Sequence, residues 1–309
     1  MAAHTPRPLR TTCAAVTAVA AAAVLVLTGC GRETTGAPGA AGTGPGCPSA
    51  GPRDGTPKDG VRITSLSGTA SGHGKGCGTG VSSVAFSVTN ASSTPMTYTV
   101  TLGFRSASGG AVSTVTKTVT AVPPGRTVTA TAAPGELPPT APRMTDVSIE
   151  KVRGIPTAET PSSGGSCPPS GVHLYADQGD AAMGLRVVSL HLENCGTHAY
   201  RLNGRPTLQI LDAGHDPVPG VRIVRGEDIA TATGADGTPR PLTLNPGERA
   251  YAVLTWRNTT EAGNPVNAPY TRVWAKPGAR PVVVTPELDL GTTGRLGVGP
   301  WKRATDTGR

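Results

Sequence analysis

The chain has 309 residues, a formal net charge of +8, 42 Gly, 30 Pro and only 3% aromatic residues. Glycine and proline break helices, while the abundant Thr and Val favour strands, so the composition excludes a helical bundle and predicts an all-β protein with long polar connections. The positive charge would draw the chain toward anionic headgroups or wall polymers, but its 22 Arg are spread along the sequence, which fits a coding bias and leaves no nucleic-acid footprint.

The first segment carries Arg7 and Arg10 and no acid, and an apolar run from Ala14 to Leu27 ends in Leu27-Thr28-Gly29-Cys30. A basic flank, a short apolar run and small residues before a cut predict a secretory signal over 1–29. The run is shorter than the roughly 20 residues of a spanning helix. The two arginines are not adjacent, so a twin-arginine signal is not indicated.

Leu27-Thr28-Gly29-Cys30 resembles the lipobox of bacterial lipoproteins. The resemblance implies recognition through Leu27, Thr28 and Gly29, cleavage before Cys30, and a diacylglyceryl group on the Cys30 sulfur. Two acyl chains anchor stably where one would be marginal. The expected location is therefore the extracytoplasmic face of the cell membrane, with the membrane as a partner. ATP, nicotinamides and the genome are absent there, so no cofactor and no nucleic acid is expected. Residues 30–60, rich in Gly and Pro, read as the lipidated cysteine and a flexible tether.

Four cysteines remain: Cys47, Cys77, Cys167 and Cys195. An even number in an oxidising compartment suggests disulfides. Three connectivities are open, and pairing within each half (Cys47 with Cys77, Cys167 with Cys195) is the simplest.

From Val61 the pattern has period two. Val84, Phe86 and Val88 alternate with polar residues, as do Met96, Tyr98, Val100, Leu102 and Phe104. Val115 to Val119, then Val128, Ala130 and Ala132, then Val147 and Ile149 follow, separated by turn-forming stretches such as Ser108-Gly109-Gly110 and Pro123-Pro124-Gly125. These are half-buried strands of a sandwich over 61–155. The run Val88-Thr89-Asn90, Tyr98 to Phe104 and Pro124-Gly125-Arg126-Thr127 resembles immunoglobulin-like modules of secreted actinobacterial proteins.

Residues 156–166 are again Gly, Pro, Ser and Thr and read as a linker. A second β segment spans 167–303, and 304–309 read as a disordered tail. Its expected strands include Val188-Leu190-Leu192, Leu208 with Ile210, Val221 with Ile223, Leu242 with Leu244, Ala252-Leu254-Trp256, and Val282 with Val284. Leu192-Glu193-Asn194-Cys195, Arg201 to Pro206, Leu211-Asp212, Leu244-Asn245-Pro246-Gly247, Leu254-Thr255-Trp256 and Leu296 to Pro300 fall in an order that resembles an uncharacterised domain family of actinobacterial lipoproteins. That resemblance implies a disulfide between Cys167 and Cys195 and assigns no activity. The whole reads as two tandem Ig-like β-sandwich domains.

Candidate chemistry is sparse. His73, in Gly72 to Gly78, is close to Cys77 and could activate a thiolate. Cysteine transpeptidases of the cell wall carry a similar Ser-His-Gly-Cys element, but here Gly74, Lys75 and Gly76 intervene. The competing reading is a glycine-rich loop with Cys77 bridged to Cys47. Ser148-Ile149-Glu150-Lys151 matches Ser-x-x-Lys, whose chemistry needs a helix start; the alternation of Val147 and Ile149 predicts a strand instead. His191, Cys195 and His198 have metal-ligand spacing, but a bridged Cys195 leaves too few ligands, so no metal is expected. Asp177 with Asp180, and Asp212 with Asp216, read as turn residues. Trp256 reads as core, whereas Trp301 could serve a sugar or protein surface.

No catalytic residue is assigned. The expected function is a non-catalytic binding or scaffolding module for a cell-wall polymer or an envelope protein. The alternatives are an envelope enzyme or transpeptidase accessory using Cys77, and an electrostatic binder of anionic wall polymers.

Overall fold

A computed structural model describes residues 57–68 and 80–304. The expected signal peptide, the lipobox with Cys30, and the loop cysteines Cys47 and Cys77 lie outside the described residues.

The first sandwich is built from β1 (Val61–Gly68), β2 (Val81–Thr89), β3 (Met96–Ser106), β4 (Ala111–Val122), β5 (Thr127–Ala132) and β6 (Met144–Pro156). They form two antiparallel sheets of three strands, ordered β1-β2-β5 and β4-β3-β6. Side chains alternate across a strand, so the period-two positions meet in one layer. Val84, Phe86 and Val88 from one sheet share a core with Val100, Leu102 and Phe104 from the other.

One strand breaks the simple alternation. Leu102 pairs with Ile149 and Thr101 with Lys151, so Glu150 is an extra residue in β6. A bulge of this kind shifts the phase by one. Val147 and Val152, an odd number of positions apart, are therefore both buried.

The second half begins with β7 (Val172–Ala176), β8 (Asp180–Ala182), β9 (Leu185–Asn194), β10 (Tyr200–Leu202) and β11 (Thr207–Leu211). It continues through β12 (Arg222–Arg225), β13 (Leu242–Leu244), β14 (Arg249–Arg257), β15 (Asn267–Ala268) and β16 (Tyr270–Trp274). It closes with β17 (Val282–Val284), β18 (Leu288–Asp289), β19 (Arg295–Val298) and β20 (Lys302–Arg303). The main sheet is ordered β12-β19-β14-β9-β7, with β8 on β9 and β20 on β14. It packs against β11-β16-β17 and the short pairs β10-β13 and β15-β18, with Leu190, Leu192, Leu254 and Trp256 sharing a core with Leu208, Ile210, Val273 and Leu244. The chain is thus an all-β sandwich protein, as composition and alternation predict.

Strand β12 departs from expectation. It pairs in parallel with β19 at the sheet edge, and Ile223 is 47% exposed. Of the expected pair, Val221 packs against the core just before the strand while Ile223 faces outward, so the alternation marks a strand there with only one member packed against the core.

Residues 153–160 carry the chain from one sandwich to the next, and side chains from the second half hold them. Arg153 donates to both carboxylate oxygens of Glu287 at 2.8 and 2.6 Å. The Gly154 N–H donates to the Tyr270 hydroxyl at 3.0 Å, and His215 Nε2 lies 2.8 Å from the Gly154 carbonyl. The His215 ring stacks on Tyr270 with centroids 4.4 Å apart. Ile155 packs with Leu211, Tyr270 and Val283, and Glu159 accepts from Arg272 at 2.8 Å.

Candidate functional site

A cleft of about 360 Å³ lies at one end of the second sandwich. Three pieces of chain build it. The first is the turn between β16 and β17: Ala279 N–H donates to the Lys276 carbonyl at 3.1 Å, and Gly278 has φ +76°. Proline second and a left-handed glycine third make this a type II turn, which Lys276-Pro277-Gly278-Ala279 spells out. The second is the segment entering β7. Ser162 N–H donates to the Leu174 carbonyl at 3.1 Å, and the Ser162 hydroxyl lies 2.9 Å from Nδ1 of the buried His173. The third is Tyr200 at the start of β10.

The Cys167–Cys195 disulfide secures this wall, with Cα atoms 5.5 Å apart. It ties the stretch before Pro168-Pro169-Ser170 to the end of β9, and Gly196 N–H donates to the Gly171 carbonyl beside it at 2.9 Å. Lys276 Nζ sits 3.8 Å from the centre of the Tyr200 ring. Burial raises the Tyr200 hydroxyl above its ordinary value, so it stays a neutral donor. The lining carries Lys276 and Arg280, hydroxyls from Thr160, Ser162 and Ser170, and apolar walls including Pro169, Val172 and Pro281. These hydroxyls, the Tyr200 phenol and the two cations are all able to contact a ligand.

A second, smaller hollow of about 230 Å³ lies where the sandwiches meet, beside Tyr98, Arg153, His215 and Tyr270. Burial raises Tyr98 and Tyr270, and both hydroxyls already have partners in Asn90 and Gly154. These groups fasten the junction.

On the outer face of the main sheet, Tyr175 and Tyr251 each pair with His191 in register. Tyr175 and His191 stack with centroids 5.0 Å apart. His191 Nε2 lies 3.1 Å from the Asp177 carboxylate. Burial works to raise that carboxyl, but N–H donation from Ser189 and the contact with His191 outweigh it and hold Asp177 below its ordinary value.

The structure disperses the other residues singled out by sequence. Cys30, Leu27, Thr28, Gly29, Cys47, His73 and Cys77 lie outside the described residues. Ser148 and Lys151 lie on β6, and the Ser148 hydroxyl donates to Glu150 at 3.1 Å. His191 faces Asp177, Cys195 is bridged, and His198 Nδ1 lies 3.0 Å from the Thr197 hydroxyl. Asp212 accepts from Gly214 and Asp216 N–H in a local turn, as expected. Asp177 does more: it accepts from Gly179 and Ser189 N–H and joins the hairpin to the sheet.

Trp301 corrects an expectation. It is 3% exposed, and its indole N–H donates to the Ala275 carbonyl at 2.9 Å. Trp256 is equally buried and donates to Asp289 at 2.6 Å. Neither indole can stack on a sugar. Sequence reading missed the Tyr200–Lys276 pair, which is 76 positions apart and meets only through the sheet order. The Lys-Pro-Gly turn was the one local signal of its position.

No curated protein matches the chain. Residues 167–302 match a family model described as Domain of unknown function (DUF4232), so the C-terminal region, cleft walls included from Pro168 onward, carries a domain of that uncharacterised family.

Proposed function

We propose that this chain is a lipid-anchored, non-catalytic binding module on the extracytoplasmic face of the membrane, held through Cys30, with its ligand seat in the cleft beside the Cys167–Cys195 bridge. The observation that carries the reading is the cleft itself. It is of ligand-binding size and is walled by three segments fixed by a turn, a disulfide and a buried histidine contact. Leu27-Thr28-Gly29-Cys30 supports the anchor. A wall polymer or an envelope protein would be the partner.

The test is sedimentation of the full chain, in detergent, with purified sacculi across a salt series. The reading expects binding that Tyr200→Ala weakens at least tenfold. Sacculi left unbound would remove the wall polymer and direct the search to a protein captured by crosslinking from intact cells. For the anchor, Cys30→Ala should move the chain out of the acyl-labelled membrane fraction; unchanged acyl labelling would refute it.

A further inference from the structure

We infer that the cleft beside the disulfide takes a phosphate group carried on a short polyol or sugar, held by Lys276 and Arg280 over an apolar floor. This rests on the reading that the cleft is the ligand seat, and it names the ligand's chemistry.

Charge in the cleft is one-sided. Its lining includes Lys276 and Arg280 and no carboxylate. An adjoining hollow of about 310 Å³ shares Lys276, adds Arg201, and also lacks an acid in its lining. The nearby Glu159 is already committed to Arg272 at 2.8 Å. Among the described residues, neither Lys276 nor Arg280 has a carboxylate within ion-pair distance.

The Tyr200 ring fixes the Lys276 ammonium at 3.8 Å without neutralising it, since a ring face attracts a cation yet contributes no net charge. A compact oxyanion would supply that missing charge. A lysine point charge and an arginine fork arriving from different positions suit a phosphate, which has oxygens to spare for both. Pro169, Val172 and Pro281 would meet the carbon face of a polyol or sugar. The volume fits one such unit, so a longer polymer would be read a unit at a time.

The test is calorimetric titration of the full chain in detergent at low salt with glycerophosphoglycerol, with glycerol as the neutral control. In parallel, the chain is placed in bicelles with and without phosphatidylglycerol, whose headgroup carries the same chemistry. Saturable binding of the soluble diester supports a free or polymer phosphate as ligand; binding confined to the lipid supports a headgroup. In either arm Lys276→Ala and, independently, Arg280→Ala should weaken binding about tenfold. Lys276→Arg should stay within about threefold, and Arg222→Ala on the far sheet edge should change nothing. Melting curves check that each variant is folded. Glycerol binding as tightly as the diester, or both alanine variants binding the diester unchanged, would overturn the inference. If sacculi binding still needs Tyr200 in that event, the binding-module reading stands and only the ligand class fails. If diester and lipid both go unbound, the inference fails, and with sacculi also unbound the binding-module reading rests on the protein partner captured by crosslinking.

Discussion

Asn90 follows β2 in the first sandwich and Asn194 ends β9 in the second, and the two make the same bonds. Each Nδ2 donates to the carbonyl four residues on, Thr94 or His198, and to the carbonyl three residues before a Pro-Gly glycine, Val122 or Leu244. Each Oδ1 accepts the N–H two residues on, from Ser92 or Gly196. Each backbone carbonyl accepts from that glycine, Gly125 or Gly247, and each backbone N–H donates to the carbonyl just after it, Arg126 or Glu248. The strand registers agree as well: Thr89 faces Thr127, and Glu193 faces Arg249. One corner device closes both sandwiches.

The surroundings of that corner differ. In the first sandwich the Asn90 turn is completed by the Ser92 and Tyr98 hydroxyls. In the second, Cys195 follows the asparagine and bridges to Cys167, drawing the entering chain against the sheet end and creating a cleft wall. The shared corner supplies the frame, and the additions to one copy supply the cleft that we propose as a ligand seat. A site grafted onto a common scaffold is the usual way a sandwich acquires a function.

The largest expected effects test the corner. Asn90→Ala and Asn194→Ala each strand one buried carbonyl and release a part-buried carbonyl and N–H, so each should cost about 3 kcal/mol, measured as a shift in urea midpoint. Costs differing by more than ~1 kcal/mol, given that scale of error between equivalent sites, would break the equivalence of the two corners.

Next is the feature that separates the copies. Replacing Cys167 and Cys195 together by Ser should cost about 3 kcal/mol in the chain-entropy account. Hydrogen exchange should rise in 160–171 and stay unchanged across β2 and β3. Faster exchange in both sandwiches alike would mean that the bridge stabilises the whole body and is no local addition.

A smaller effect belongs to the loop that covers part of the main sheet. A Cβ on Gly226 would lie 2.2 Å from Ala235 Cβ and 2.3 Å from its carbonyl oxygen. Gly226→Ala should therefore cost about 2 kcal/mol by overpacking, seen as a lowered melting temperature. An unchanged melt would show that the loop shifts freely.

The smallest concerns Asp177 in the second sandwich. Its folded-state value is lowered, so its contribution is present above the ordinary aspartate value of 3.8 and is lost as pH falls through the lowered one. His191→Ala removes one of the lowering contacts. The acid limb of the stability profile should then move to slightly higher pH, and an unmoved limb would show that Ser189 alone sets the shift.

These tests also mark what sequence could reveal. Met96 to Phe104 declares its strand through unbroken alternation, because one face of β3 is buried along most of its length. The pairing of Cys167 with Cys195 follows from the family resemblance and from simplicity, and the bridge is present. The Glu150 bulge was not legible, since register is decided by the partner strand and not by local pattern. The corner repeat hides in Asn90-Ala91-Ser92 and Asn194-Cys195-Gly196, which share only the asparagine. The cleft was least legible of all. Its Gly-, Pro- and Ser-rich wall looks like linker in composition, and the bonds that fix it run to residues far along the chain.

The most direct measurement is hydrogen exchange of the full chain in detergent, with and without solubilised sacculus fragments. The account predicts slowed exchange in 158–171 and 275–282, the segments that wall the cleft, with the Tyr175–His191–Tyr251 face unchanged. Protection on that sheet face, or on the first sandwich, with the cleft segments left as fast as before, would contradict it.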